Sequence, residues 1–168
     1  MQENTYTGGV SKPDKIPWWT LGLASAVVLG DEILKRVALA RLPEEGTVEL
    51  NGLIDFAIHK NYGIAFDIPF KIPIIILVSI FIGVALLRVI HQTYRTNQNI
   101  AICASLIIVG ALGNLFDRLY FGFVVDYIIL FRRSAINISD IIILLGVFGL
   151  LWASRRSKKH DHTIDKHT

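Results

Sequence analysis

Cysteine, charge and metal-ligand spacing are what this chain has least of. Its single cysteine, Cys103, cannot close an internal disulfide. Its neighbours in IAICASLIIVGAL mark it as a small buried hydrophobe rather than a nucleophile. No Cys/His spacing suited to a metal is present, and His160, His162 and His167 fall in a polar tail, so neither a metal nor any other cofactor is expected. Charged residues make up 18% of the chain against 52% hydrophobic, with a mean hydropathy of +0.50. That balance argues against a soluble domain. The net charge of +3 owes most of its excess to RRSKKH from Arg155, directly behind an apolar segment. Positive charge in that place is a membrane topology signal. Aromatic–basic interleaving is missing, so no nucleic-acid partner is expected.

What the chain does have is apolar length. Its 168 residues suffice for one domain. Four apolar stretches, residues 17–40, 68–89, 99–119 and 136–153, approach or exceed the roughly 20 residues that cross a bilayer as a helix. Trp18 and Trp19 suit a membrane interface, and no cleavage site follows that would make the first stretch a signal peptide. Pro69 and Pro73 fit at or before the first turn of the second stretch. Ala104, Ser105, Gly110, Ala111 and Gly113 in the third permit close helix approach. Residues 1–15 read as a disordered cytoplasmic lead-in and 154–168 as a basic cytoplasmic tail. Two outer loops, 41–67 and 120–135, join the helices. In the first, VEL and IDFAIHK are candidate short strands, and Gly63 suits a turn. The expected fold is an all-α integral membrane protein with four transmembrane helices and a small extracytoplasmic β-rich element. The positive-inside rule puts both termini in the cytoplasm.

That topology gathers Asp31, the 41–67 loop, residues 114–126 and residues 137–140 at one outer depth. Asp126 in FGFVVDYIILF and Asp140 in ISDIIILLGVFGLLWA are carboxylates pressed against apolar residues, and such groups are functional candidates. If they approach to hydrogen-bonding distance, repulsion makes them share one proton, and the pair can activate water against an amide. The bland alternative is two boundary aspartates bonded to Arg118 or to backbone amides. Asn114 and Arg118 share a helix face, with Asp117 beside them. Arg118 could orient a carboxylate, hold a substrate carbonyl or snorkel to lipid phosphate. Asn114 and Asn137 could fix the pair or the scissile peptide, and Asn137 could cap the fourth helix with Asp140 at the third position of a capping box. Asp31 and Lys35 are either an intrahelical ion pair or substrate contacts. Other classes weighed are a small transporter or ion-relay subunit using the same carboxylates, and a membrane scaffold whose aspartates only cap helices.

At these residues the chain resembles the lipoprotein signal peptidases, or signal peptidase II, bacterial aspartyl proteases of the inner membrane. The resemblance spans about residues 18–153. GALGNLFDRLYFGFVVDY at 110–127 carries it most specifically. INISD at 136–140 resembles the family's Asn-x-x-Asp stretch, with Ile136 where phenylalanine is usual and Ser139 where alanine is usual. KNYGIAF at 60–66 is similar to the Asn-x-Gly-x-Ala-Phe loop, and DEILK at 31–35 to an Asp-x-x-x-Lys signature. The resemblance implies a catalytic dyad of Asp126 and Asp140. Asn114, Arg118 and Asn137 would support it or touch substrate. Asp31, Lys35, Asn61 and Gly63 would position the ligand or a covering loop, and Asp117 would be a structural carboxylate. It further implies a small outer β-cradle, a monomer among membrane lipids, and an active site near the extracytoplasmic face. Implied substrates are diacylglyceryl-modified prolipoproteins cut on the amino side of the lipidated cysteine, and an implied inhibitor class is cyclic peptide antibiotics such as globomycin. The interval from Asp126 to Asp140 is shorter than the family's usual one.

Overall fold

A computed structural model describes residues 16–47, 49, 52–63 and 71–164, with side chains of the last helix to residue 156. In chain order the elements are α1 (Trp19–Arg41), β1 (Ile54–Asn61), α2 (Ile72–Thr93), α3 (Gln98–Tyr120), β2 (Val124–Leu130), β3 (Ser134–Ile136) and α4 (Ile138–Ile164). The expected lead-in at 1–15, the end of the basic tail, the VEL strand (residues 48 and 50) and the IAF part of the second motif fall outside the described residues.

This is an all-α, multi-span membrane protein with a small β-sheet. Among the described residues three helices are long and apolar enough to cross a membrane: α2, α3, and α4 as far as Arg156. Composition withholds that description from α1, whose second half carries Asp31, Glu32, Lys35 and Arg36. Helix α2 is apolar on all sides and buries only Ile75, as a helix bathed in hydrocarbon should. Pro73 sits in its first turn, where the missing amide donor costs little. Helix α3 is the opposite case. It buries nine residues along its length and packs against the other three helices.

Small residues explain how α3 and α4 come so close. A Cβ on Gly110 would stand 2.7 Å from the carbonyl oxygen of Ser139, and one on Gly146 would stand 2.9 Å from that of Cys103. Both obstacles are backbone, so the helices themselves would have to part. Alanine gains about 1 kcal/mol of helix propensity over glycine, but overpacking costs about 1–3 kcal/mol. We therefore expect Gly110→Ala to lower the thermal unfolding temperature in detergent. Gly83→Ala on α2, where a Cβ meets nothing within 4 Å, should leave it unchanged or raise it.

The sheet is antiparallel, in the order β1-β2-β3. One face of β2 presents Val125 and Tyr127, which form a core with Ala38 of α1 and Ile58 of β1. The other face presents Asp126. Because the central strand is covered on both faces, its sequence VVDYIIL shows no apolar–polar alternation. A loop over 120–135 with Asp126 in an irregular stretch is therefore what the sequence predicts, and the structure differs: both β2 and β3 lie there. Ile136 ends β3, so α4 starts two residues later than expected. Helix α2 runs one turn further, to Thr93, and α4 extends through the start of the basic tail. The β2–β3 turn uses two non-glycine residues of positive φ, Phe131 (51°) and Arg132 (59°). This tight reversal accounts for the short interval between the two aspartates.

Candidate active site

Helix α4 begins with its backbone amides fully accounted for. Asn137 and Asp140 form a reciprocal capping box: the Asn137 amide donates to Asp140 Oδ2 at 3.2 Å, and the Asp140 amide donates to Asn137 Oδ1 at 3.0 Å. The two amides between them, of Ile138 and Ser139, donate to the Asp31 carboxylate at 3.3 and 3.0 Å. The four donors that a helix start leaves without an internal partner are all taken, two by Asp31. Two carboxylates at this terminus also match the helix dipole.

The same residues hold the aspartate pair. Asn137 Nδ2 donates to Asp126 Oδ1 at 2.6 Å and to Asn114 Oδ1 at 3.1 Å. Asn114 Nδ2 donates to Asp140 Oδ1 at 2.7 Å. Asn61 Nδ2, at the end of β1, donates to Asp126 Oδ2 at 3.0 Å. Every oxygen of the two carboxylates therefore accepts an N–H from an asparagine. Asn61 Oδ1 accepts the Gly63 amide at 2.9 Å, and the Gly63 carbonyl accepts Arg118 Nη2 at 2.9 Å. Arg118 Nη1 donates to the Asn114 carbonyl at 3.2 Å, so the guanidinium is directed inward. Arg118 Nε finds no partner among the described residues.

Asp126, Asp140, Asn61, Asn114 and Arg118 line a cavity of about 520 Å³. Its other walls are apolar, from Ile75, Val78 and Ile82 of α2 and Ile143 and Leu144 of α4, with β3 along one side. Asp126 is 1% exposed. Burial pushes its carboxyl up to about 7, and Asp140 adds to the rise; the bonds from Asn61 and Asn137 and the neighbouring His59 oppose it.

Asp31, Lys35 and Asp117 lie behind this layer, wholly buried and off the cavity wall. The intrahelical ion pair between Lys35 and Asp31 is present at 3.5 Å. Lys35 makes a shorter contact to Asp117 at 2.8 Å, another to Glu32 at 3.1 Å, and donates to Asn114 Oδ1 at 3.3 Å. Asp117 Oδ2 also accepts the Val125 amide at 3.1 Å, which fixes β2 one residue before Asp126. Two residues of this layer were not singled out from the sequence. The Tyr127 hydroxyl donates to Asp31 at 2.7 Å and Ser139 Oγ donates to it at 2.6 Å. Burial and that bond hold the Tyr127 phenol well above its ordinary range, so it remains a donor. The available signal was position, since each is the chain neighbour of a candidate aspartate. Among the described residues no His/Cys/Asp/Glu group could hold a metal ion.

Paired carboxylates held by amides in an apolar-walled cavity, on a multi-span helical frame, are the arrangement an aspartyl-type membrane hydrolase needs. A family model described as signal peptidase (SPase) II matches residues 23–156, and the chain belongs to that family, the lipoprotein signal peptidases. It is 33% identical over 154 residues to the lipoprotein signal peptidase of Azoarcus sp. (strain BH72), covering 86% of each chain. With that of Thermodesulfovibrio yellowstonii it shares 34% identity over 143 residues, covering 79% of this chain and 90% of the relative. The fold matches a bacterial membrane enzyme solved by the in meso method with a TM-score of 0.74 at 25% identity, covering 87% of this chain and 93% of that one.

Proposed function

We propose that the protein is an endopeptidase that removes signal peptides from prolipoproteins carrying diacylglycerol on a cysteine, cutting on the amino side of that cysteine. Asp126 and Asp140 are the catalytic pair. The observation that carries this reading is the asparagine frame, which fixes all four carboxylate oxygens beside one cavity.

Near neutral pH Asp126 holds the shared proton, its buried carboxyl being pushed up to about 7 with Asp140 adding to the rise. Asp140 is the base, its carboxylate accepting the Asn137 amide at the start of α4. Water attacks the scissile carbonyl carbon and gives one proton to Asp140. The Asp126 proton goes to the carbonyl oxygen. As the tetrahedral species collapses the C–N bond breaks, and a proton from the pair passes to the leaving nitrogen. Arg118, anchored by both terminal amines, is placed on the cavity wall to hold a substrate carbonyl through Nε. The apolar wall of α2 and α4 suits acyl chains.

In this reading α1 is a fourth crossing. Two of its charges, Asp31 and Lys35, face protein rather than lipid and are neutralised there. Arg36 lies over Phe116 and Tyr120, 5.9 and 5.7 Å from the ring centroids, an aromatic and basic grouping suited to the headgroup boundary. Both termini then face the cytoplasm of a bacterium, and the cavity opens near the outer face of its inner membrane. By family likeness cyclic peptide antibiotics such as globomycin inhibit it.

The test is incubation of purified protein with a prolipoprotein peptide in lipidated and unlipidated forms, with products read by mass spectrometry. The expected product begins with the diacylglyceryl cysteine, and the unlipidated peptide is cut at least about 100-fold more slowly, because remote binding energy is lost. Equal rates on both peptides, or cleavage elsewhere, would overturn the assignment.

A further inference from the structure

Directly across the sheet from Asp126 stands His59, its partner in the β1–β2 register. Antiparallel partners project to the same face. Asn61, two residues along β1, shares that face and reaches Asp126. His59 is itself held from behind, with Nδ1 2.5 Å from Glu45 Oε2. Glu45 has little freedom to leave. The Ile58 amide donates to the Pro43 carbonyl at 2.8 Å and the Glu45 amide to the Ile58 carbonyl at 2.9 Å, which lays residues 43–45 along β1. Both side chains of the pair are partly buried, 24% and 31% exposed. With Nδ1 held by a carboxylate, the ring is fixed in orientation on the face it shares with Asp126.

We propose that Glu45 and His59 form a positioning pair that sets how tightly Asp126 and Asp140 share their proton. This rests on the reading of those aspartates as the catalytic pair. The charged groups facing Asp126 are Asp140 from α4, Arg118 from α3 and His59 from β1. Glu45 stands behind His59, and Lys60, next along β1, is paired with Glu44. Of the side chains facing Asp126, His59 alone is an imidazole backed by its own anchoring carboxylate. A cation opposite a carboxylate favours the ionised form. Removing it must therefore raise the proton affinity of the pair and carry the alkaline limb of activity to higher pH.

The experiment titrates the full-length protein in detergent and reads it in two ways. One is the pH dependence of kcat/KM on a lipidated prolipoprotein peptide. The other is the infrared C=O stretch of the protonated carboxyl, assigned by its loss in Asp126→Asn. We expect His59→Gln to move the alkaline midpoint upward by about half a pH unit or more, Glu45→Gln to move it in the same direction, and His59→Lys to restore it. A midpoint unmoved in both glutamine variants, with only kcat lowered, would show a merely structural pair and overturn the proposal. So would a His59→Lys midpoint no different from that of His59→Gln. If His59→Gln does not fold, Glu45→Gln decides. The infrared reading needs no turnover, so a wild-type protein inactive on lipidated peptides would count against the proposed peptidase and leave this inference standing on its own titration.

Discussion

Asp126→Asn and Asp140→Asn are each expected to reduce kcat on a lipidated prolipoprotein by at least about 100-fold, while the protein stays folded in detergent. The size follows from role. In the proposed reaction each aspartate handles a proton in the transition state, and losing one general acid or base costs about 100- to 10,000-fold. The two act as a unit, so the double variant should be scarcely worse than either single one. Folding survives because asparagine keeps the shape of the side chain and one acceptor oxygen. In Asp140→Asn that oxygen can still take the Asn137 amide of the capping box. In Asp126→Asn it can take the bond from Asn137 Nδ2 or from Asn61 Nδ2, though not both. Thermal unfolding followed beside the activity assay separates the two effects. Turnover within tenfold of wild type in either variant would remove that aspartate from the chemistry.

The second large effect is on stability. Lys35→Met should cost about 3–5 kcal/mol, the range for leaving a buried charge without its partner. Lys35 is fully buried, and it is the cation that Asp31 and Asp117, also fully buried, both contact. The methionine fills similar volume, so packing loss is the smaller term. The charge argument predicts a specific rescue: Lys35→Met combined with Asp117→Asn should recover part of the loss, because one stranded carboxylate becomes neutral. A double variant less stable than the single would show that packing governs the site instead. Denaturation in mild detergent, or the yield of monodisperse protein, reads the difference.

Much of this was legible in the sequence, for identifiable reasons. Apolar runs long enough to cross a bilayer are hard to mistake, and α2, α3 and α4 fall close to where the runs put them. Asp126 and Asp140 stood out because ionised groups are rare in such surroundings. The Asn137-x-x-Asp140 spacing announced the capping box that the structure contains. The strand carrying Asp126 was not legible. Covered by α1 on one face and by the site on the other, it loses the period of two that marks a half-buried strand. Nor could spacing show that Asp31 reaches more than 100 residues along the chain to the amides of α4. The sequence offered an ion pair or a substrate contact for Asp31, and a helix cap supplied from another helix was not among the choices. The far end of α4 drifted because Arg155, Arg156, Lys158 and Lys159 are good helix formers, so helix continues where hydropathy stops, and its start drifted because β3 takes Ile136.

The start of α4 also governs when the chain can be dangerous. Asp31 comes from α1, Asn114 from α3, Asn61 from β1 and Asp126 from β2, and each bonds to the first turn of α4 or to a residue that does. No two neighbours in the chain can put the carboxylates in order by themselves. During synthesis that turn is the last of these parts to emerge, so on the proposed function hydrolytic competence would be acquired in a single late event, and unfinished chains in the bilayer would be unable to cut the precursors around them.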